Sequence, residues 1–202
     1  YESAGSPFIY APADNLASTF GVTGFPAIRL NRTISVNYGD DPTSDVKPYV
    51  TPSSISTISS TVGLGISSNL SGSVLSITVK SRFSNATSGG KLVVYVLENG
   101  VAGNQHSYFD ADPKSPFYRQ GSILTYKHDG VLRTSATAIL GDAIPSQVAA
   151  AEYSKTYTVT VPGTWNSSNL SIAAMVVTSA NKLINAQQAK VGQVQDFQIL
   201  AP

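Results

Sequence analysis

The sequence predicts a mainly β protein whose larger part is an antiparallel β-sandwich of Ig-like or jelly-roll topology. Roughly eight short segments are either apolar throughout or alternate between apolar and polar residues, as strands do. Asn, Gly and Pro punctuate these segments as turn residues, and helical periodicity is scarce. With 42% hydrophobic and 12% charged residues among its 202, the chain has ample apolar material for one core.

The N-terminal part of the chain has a different pattern. Residues 13–22 predict a short helix that ends at Gly21 and Gly24. A single strand is expected from Ala27 to Ile34, directly after Pro26, because a proline at the first position of a strand removes no donor from the sheet. We expect a cis peptide bond before Pro26.

The stretch from Asn15 to Arg32 resembles the helix, loop and strand that carry the cis-proline of a thioredoxin-like fold. In that fold the redox Cys-x-x-Cys lies upstream of the proline, whereas this chain contains no cysteine and cannot perform thiol chemistry. We therefore expect the chain to be part of a larger protein. Residues 1–52 are then the C-terminal part of a thioredoxin-like region and its linker, with Pro26 in a structural role.

A composition change marks the predicted domain boundary. Residues 39–60 are rich in Asp, Ser, Thr and Pro, which indicates a linker. One capped helical turn is expected from Thr43 to Tyr49. The β-sandwich domain is predicted to occupy residues 53–202.

Within the sandwich, the segments from Val62 to Ile66 and from Leu75 to Phe83 predict a hairpin that turns at residues 69–72. The apolar run from Leu92 to Leu97 predicts a central strand buried on both faces. Further strands are expected at residues 157–161, 170–178, 183–189 and 194–200.

One long segment, residues 99–121, is expected to be irregular, and loops of this length are often functional. It contains the aromatic residues Tyr108, Phe109, Phe117 and Tyr118. We predict these four as binding residues, because such side chains stack on sugar rings or anchor protein partners. The alternative is that they fold back over one end of the sandwich.

Signals for catalysis and metal binding are weak. His106, Asp110, Asp112 and His128 are the histidine and aspartate residues that lie close in sequence, but their spacing matches no ligand motif. No Gly-x-Ser-x-Gly nucleophile elbow is present. A net charge of +1 disfavours nucleic acid as a partner. We expect no enzymatic activity, catalytic residue, cofactor or metal.

Five segments together resemble the family of Bacteroidetes 28-kilodalton outer-membrane proteins. They are the run from Val94 to Glu98, Gln105, the run from Tyr126 to Arg133, Gly141-Asp142, and Asn185-Ala186-Gln187. The resemblance implies a thioredoxin-like region joined to a C-terminal β-sandwich in an exported lipoprotein. It implies a place at the outer membrane or cell surface, with the periplasm as the alternative, and no catalytic residue can be carried over.

The Tyr-x-His-x-x-x-Leu-Arg segment has a structural interpretation. On one extended strand, His128 and Arg133 face opposite sides. Arg133 then needs a partner such as Glu98 on the neighbouring buried strand, so we predict an ion pair between them. Glu98, His128 and Arg133 are therefore expected to be structural residues.

Two functions remain open at this point. The first is a non-enzymatic binding or adhesion module that contacts a protein or glycan at the cell surface, with the membrane reached only through a lipid anchor upstream. The second is an accessory domain of a periplasmic thiol-disulfide oxidoreductase whose Cys-x-x-Cys lies upstream of this chain.

Overall fold

The computed structural model describes residues 6, 8–24, 27–36, 60–106, 111–115 and 118–198. The N-terminal unit contains helix α1 (Asp14–Thr19), as predicted, preceded by a 3-10 turn at Ala11–Ala13. The prediction of a single strand after the helix is wrong, because two strands, β1 (Ile28–Leu30) and β2 (Ile34–Val36), form a hairpin there. The cause is the turn between them, in which the residues after Leu30 adopt φ of 51° and 64°. Pro26, its peptide bond and the linker lie outside the described residues.

Ten further strands build the sandwich and an attached ribbon. They are β3 (Val62–Ser71), β4 (Val74–Phe83), β5 (Lys91–Glu98), β6 (Val101–His106), β7 (Ser122–His128), β8 (Val131–Ser135), β9 (Asp142–Ala143), β10 (Glu152–Thr160), β11 (Leu170–Val177) and β12 (Leu183–Lys190). β10, β4 and β3 form one sheet, and β12, β11, β5 and β8 form the other, with β9 also paired to β5. The predicted antiparallel sandwich is confirmed.

The first hairpin forms as predicted, but its turn is displaced. Asn69, Leu70 and Ser71 belong to β3, which pairs with β4 from Val62–Phe83 through Ser71–Val74. The chain reverses at Gly72, whose φ of 57° suits glycine. The strand continues through the expected turn because Leu70 packs against the core.

The main core lies between the two sheets. Alternate residues of β4, such as Leu75, Ile77 and Val79, are fully buried and meet the inner face of β5. β5 is also buried on its outer face, as predicted, because Val93 and Tyr95 form a second apolar cluster.

The N-terminal unit covers that second cluster. Leu16 of α1 packs against it, and Arg32 Nη2 donates a hydrogen bond of 2.9 Å to the hydroxyl of Tyr95. Tyr95 in turn donates to the carbonyl of Ile139 at 2.5 Å, and the N–H of Leu183 donates to the carbonyl of Asn31 at 3.3 Å. The N-terminal unit is therefore packed onto the sandwich.

The prediction of a strand at residues 194–200 is wrong for residues 194–198, which are the part that the structure describes. Residues 193–198, here called the strap, lie along the edge of β3 and form one bridge, in which Ile66 and Gln195 exchange two backbone hydrogen bonds of 2.8 Å. Side-chain amides satisfy the neighbouring edge groups: Gln198 accepts from the N–H of Leu64, and Gln187 donates to its carbonyl. Amide side chains here replace the regular backbone ladder, which explains why no strand forms.

The opposite side of the sandwich is closed by a polar cluster between β9 and β10. Lys155 Nζ lies 3.3 Å from a carboxylate oxygen of Asp142 and 5.1 Å from the ring centre of Tyr157. Burial raises the pKa of Tyr157 above its ordinary value, and the charges of Asp142 and Tyr153 add to this effect. The folded chain therefore keeps the phenol protonated at pH values where the unfolded chain ionises.

This shift predicts a loss of stability at alkaline pH. Because the pKa of Tyr157 is raised in the folded state, its contribution is complete below about pH 10 and falls as the pH rises above that value. Urea unfolding at a series of pH values between 8 and 11 should show the decline, and Tyr157→Phe should flatten it. The same change at the exposed Tyr126 is the control. Identical alkaline slopes for all three proteins would refute the prediction.

Candidate binding surface

A bent β-ribbon extends from one end of the five-stranded sheet. β5 runs through Asn99 and Gly100 into β6, and β7 runs through Asp129 and Gly130 into β8. β6 and β7 pair with each other as a separate two-stranded sheet. We call β6, β7 and their connecting residues 107–121 the arm. The prediction that residues 99–121 are irregular is thus partly wrong, because residues 101–106 form strand β6, which pairs with β7.

The bend of the ribbon is held by reciprocal hydrogen bonds. The N–H of Gly100 donates to Asp129 Oδ1 at 2.8 Å, and the N–H of Gly130 donates to Asn99 Oδ1 at 2.7 Å. Both glycines have positive φ, of 70° and 66°. Asn169 Nδ2 also donates to the carbonyl of Asn99 at 3.0 Å, which ties the bend to the start of β11. We call Asn99, Gly100, Asp129 and Gly130 the joint.

A buried ion pair lies next to the joint. Arg133 Nε is 2.6 Å from Glu98 Oε2, and the two side chains are 12% and 5% exposed. The N–H of Asn166 donates to the other carboxylate oxygen of Glu98 at 2.8 Å. The guanidinium of Arg133 also lies 5.8 Å from the ring centre of Trp165. The predicted ion pair is confirmed, and it connects β5, β8 and the loop before β11.

The geometry assumed for His128 and Arg133 is wrong. His128 ends β7 and Arg133 lies in β8, so the two residues occupy different strands. The signal for this break was the Asp-Gly dipeptide between them, which favours a turn. The bend at the joint therefore explains their separation.

His128 lies in an aromatic cluster at the base of the arm. Its ring forms T-shaped contacts with the rings of Phe8 and Tyr126, whose centres lie 4.5 Å and 4.8 Å from its own. Its Nε2 is buried and has no hydrogen-bond partner among the described residues. These contacts agree with a packing role. Sequence reasoning missed Phe8, and the alternation of Tyr126 and His128 was the available signal for their pairing.

The ring of Phe8 occupies the space beside Gly103 of β6, where a Cβ atom would overlap it. Gly103→Ala is therefore expected to displace Phe8 and to release the N-terminal segment from the arm. Hydrogen exchange should accelerate at the N–H of Ser135, which donates to the hydroxyl of Tyr10. Gly163→Ala, where a Cβ has open space, is the matched control. Unchanged exchange in the Gly103 variant would contradict this assignment.

Of the four predicted binding residues, one lies among the described residues. Tyr118 is half-buried, and the guanidinium of Arg119 lies 5.0 Å from its ring centre. Tyr108, Phe109 and Phe117 lie outside the described residues. Tyr126, which the sequence analysis did not select, adds an aromatic side chain to the arm that is 39% exposed.

The histidines and aspartates considered for metal binding have other surroundings where they are described. Asp112 Oδ1 accepts a hydrogen bond from the N–H of Lys114 at 2.9 Å, and His128 packs between aromatic rings. Asp110 lies outside the described residues. Within the described ranges, no group of three or more His, Cys, Asp or Glu side chains is placed to hold a metal ion.

The remaining motif segments also lie at structural contacts. Gly141 has a φ of 102° and lies against β5, and Asp142 Oδ1 accepts from the N–H of Ala138 at 3.0 Å. Asn185 Nδ2 donates to the carbonyl of Val62 at 2.7 Å.

A family model for the outer membrane protein Omp28 matches residues 13–195. The chain belongs to the Omp28 family. The expected placement at the outer membrane is thereby confirmed.

Solved structures that resemble the chain include two from Porphyromonas gingivalis. HBP35 of Porphyromonas gingivalis is 18% identical with a TM-score of 0.69, over 95% of this chain and 61% of that chain. The chain thus spans less than two thirds of its length, and the likeness shows the shared fold. A domain of the outer membrane lipoprotein Omp28 from Porphyromonas gingivalis is 18% identical with a TM-score of 0.42, over 66% of this chain and 89% of that domain.

A search of curated protein sequences found no match to the chain. In the part of the chain that the structure describes, helices long and apolar enough to cross a membrane are absent.

Proposed function

We propose that the chain is a non-enzymatic binding module of an outer-membrane lipoprotein, in which residues 107–121 of the arm contact a protein or glycan at the cell surface. The observation that carries the proposal is the joint, where two reciprocal hydrogen bonds fix the bend of the arm. A fixed bend reduces the conformational entropy that the arm loses on binding. The sandwich then serves as the platform on which the arm is mounted.

The composition of residues 107–121 supports this function. Residues 107–121 connect β6 to β7 and contain Tyr108, Phe109, Phe117 and Tyr118. Tyrosine and phenylalanine contribute large contact areas at small entropic cost, and Tyr is frequent at binding hot spots. By contrast, the contacts of Glu98 and Arg133 lie within the fold, so they hold the surface in place and do not form it.

Attachment of coated beads tests the proposal. Beads carrying the chain are counted on immobilised mucin and on immobilised fibronectin, with a variant in which all four aromatic residues are serine. We expect the variant to lose at least fivefold in attachment to one of the surfaces. Val148→Ser, which removes an apolar side chain that is 72% exposed, is the control. Equal attachment of the wild type and the aromatic variant, or no attachment of either, would overturn the proposal.

The second candidate, an accessory domain of a periplasmic thiol-disulfide oxidoreductase, is favoured by the packing of the N-terminal unit. Leu16 and Arg32 both contact the sandwich, so a catalytic unit fused through this segment would be held against it. The sequence of the full precursor separates the two candidates. An intact Cys-x-x-Cys before Tyr1 favours the oxidoreductase, whereas a lipid-attachment cysteine without that motif favours the binding module.

A further inference from the structure

A polar groove of about 410 Å³ lies beside the joint, between the start of β11, the end of β12 and the strap. Its lining includes five carboxamide residues: Asn99, Asn169, Gln188, Gln193 and Gln195. The side chains of Asn99, Asn169 and Gln188 each form one hydrogen bond within the fold, whereas Gln193 and Gln195 are exposed. Its volume falls in the range of small-molecule sites, which is about 300–1,000 Å³.

Two further side chains define the chemistry of this groove. Lys190 contributes the lining's one charge, and among the described residues its ammonium forms no ion pair. Val194 is 70% exposed and gives the groove an apolar wall. Since the lining contains no carboxylate, a cationic ligand would find no opposite charge in it.

We propose that the groove binds a short acidic saccharide. Carboxamides both donate and accept hydrogen bonds, which matches neighbouring sugar hydroxyl groups that also do both. The ammonium of Lys190 pairs with the carboxylate of a uronic or sialic acid unit, and Val194 contacts the apolar face of a ring. None of the residues that line this groove belongs to the arm, so the inference does not depend on the proposed function.

Matched ligand pairs test the inference. Titration calorimetry and heteronuclear NMR compare digalacturonate with digalactose, and 3′-sialyllactose with lactose. We expect one acidic saccharide to bind at least tenfold more tightly than its neutral counterpart, with the largest amide shifts at Gln193 and Val194. Lys190→Gln should reduce that affinity at least fivefold, and Gln193→Ala should reduce it as well.

The control variant is Lys182→Gln, which removes an exposed ammonium at the opposite end of β12. It should bind as the wild type does. Thermal unfolding of each variant checks that the fold is retained. The inference fails if no saccharide binds at about 10 mM, a concentration at which a site with a Kd of about 1 mM is mostly occupied. It also fails if acidic and neutral partners bind equally, if Lys182→Gln weakens binding as much as Lys190→Gln, or if an acidic tetrapeptide binds as tightly as the saccharides.

Discussion

Arg133→Met is expected to lower the free energy of unfolding by about 3–5 kcal/mol, because it leaves the carboxylate of Glu98 buried without its charge partner. The side chain of Glu98 is 5% exposed and retains one hydrogen bond, from the N–H of Asn166. Water cannot readily replace the lost guanidinium at such a site. Urea unfolding monitored by circular dichroism measures the loss.

The double variant Glu98→Gln with Arg133→Met should recover part of that stability, since a neutral amide costs less to bury than a carboxylate. Lys80→Met, which removes one partner of an ion pair with side chains 52% and 35% exposed, is the control and should change stability far less. A loss below about 1 kcal/mol in Arg133→Met would show that the pair contributes no more than a surface ion pair.

Gly141→Ala is expected to cost about 3 kcal/mol, from the sum of two effects. The φ of 102° lies in a region that residues with a Cβ atom avoid, which costs about 1–2 kcal/mol. An added Cβ would also lie 2.8 Å from Val93 Cγ2 and 3.0 Å from the carbonyl oxygen of Leu92, and such overpacking costs about 1–3 kcal/mol. Equilibrium unfolding in urea provides the measurement.

Gly130→Ala separates the two effects. Gly130 has a φ of 66°, but a Cβ there meets no heavy atom within 4 Å, so this variant carries the backbone strain without the overlap. It should therefore be clearly more stable than Gly141→Ala. Equal losses in the two variants would show that the contact with β5 contributes nothing.

Local sequence patterns predicted those features whose structure follows from the chemistry of their own residues. The apolar run of β5 implied burial on both faces, and the N-terminal unit and the main core provide those two faces. The charges of Glu98 and Arg133 implied a pair because neither can be buried alone. β6 was missed because its residues, Val101–His106, do not alternate and become a strand only by pairing with β7.

Contacts between distant residues could not be predicted from local patterns. Gln187 and Leu64 are separated by 123 positions, and nothing near either residue indicates the other. The joint was missed for a related reason, since Asn99 and Asp129 each read as an ordinary turn residue. Their importance arises because each caps a backbone N–H of the other's strand connection.

The strap has a consequence for how the chain matures after export. A chain that emerges from its N-terminal side presents β3 and β4 early, whereas residues 193–198 arrive more than a hundred residues later. Until then, the edge of β3 carries open backbone groups on which another chain can form a strand. Two incomplete copies can therefore pair through β3 only during this interval, and the arrival of the strap ends it by occupying the middle of that edge.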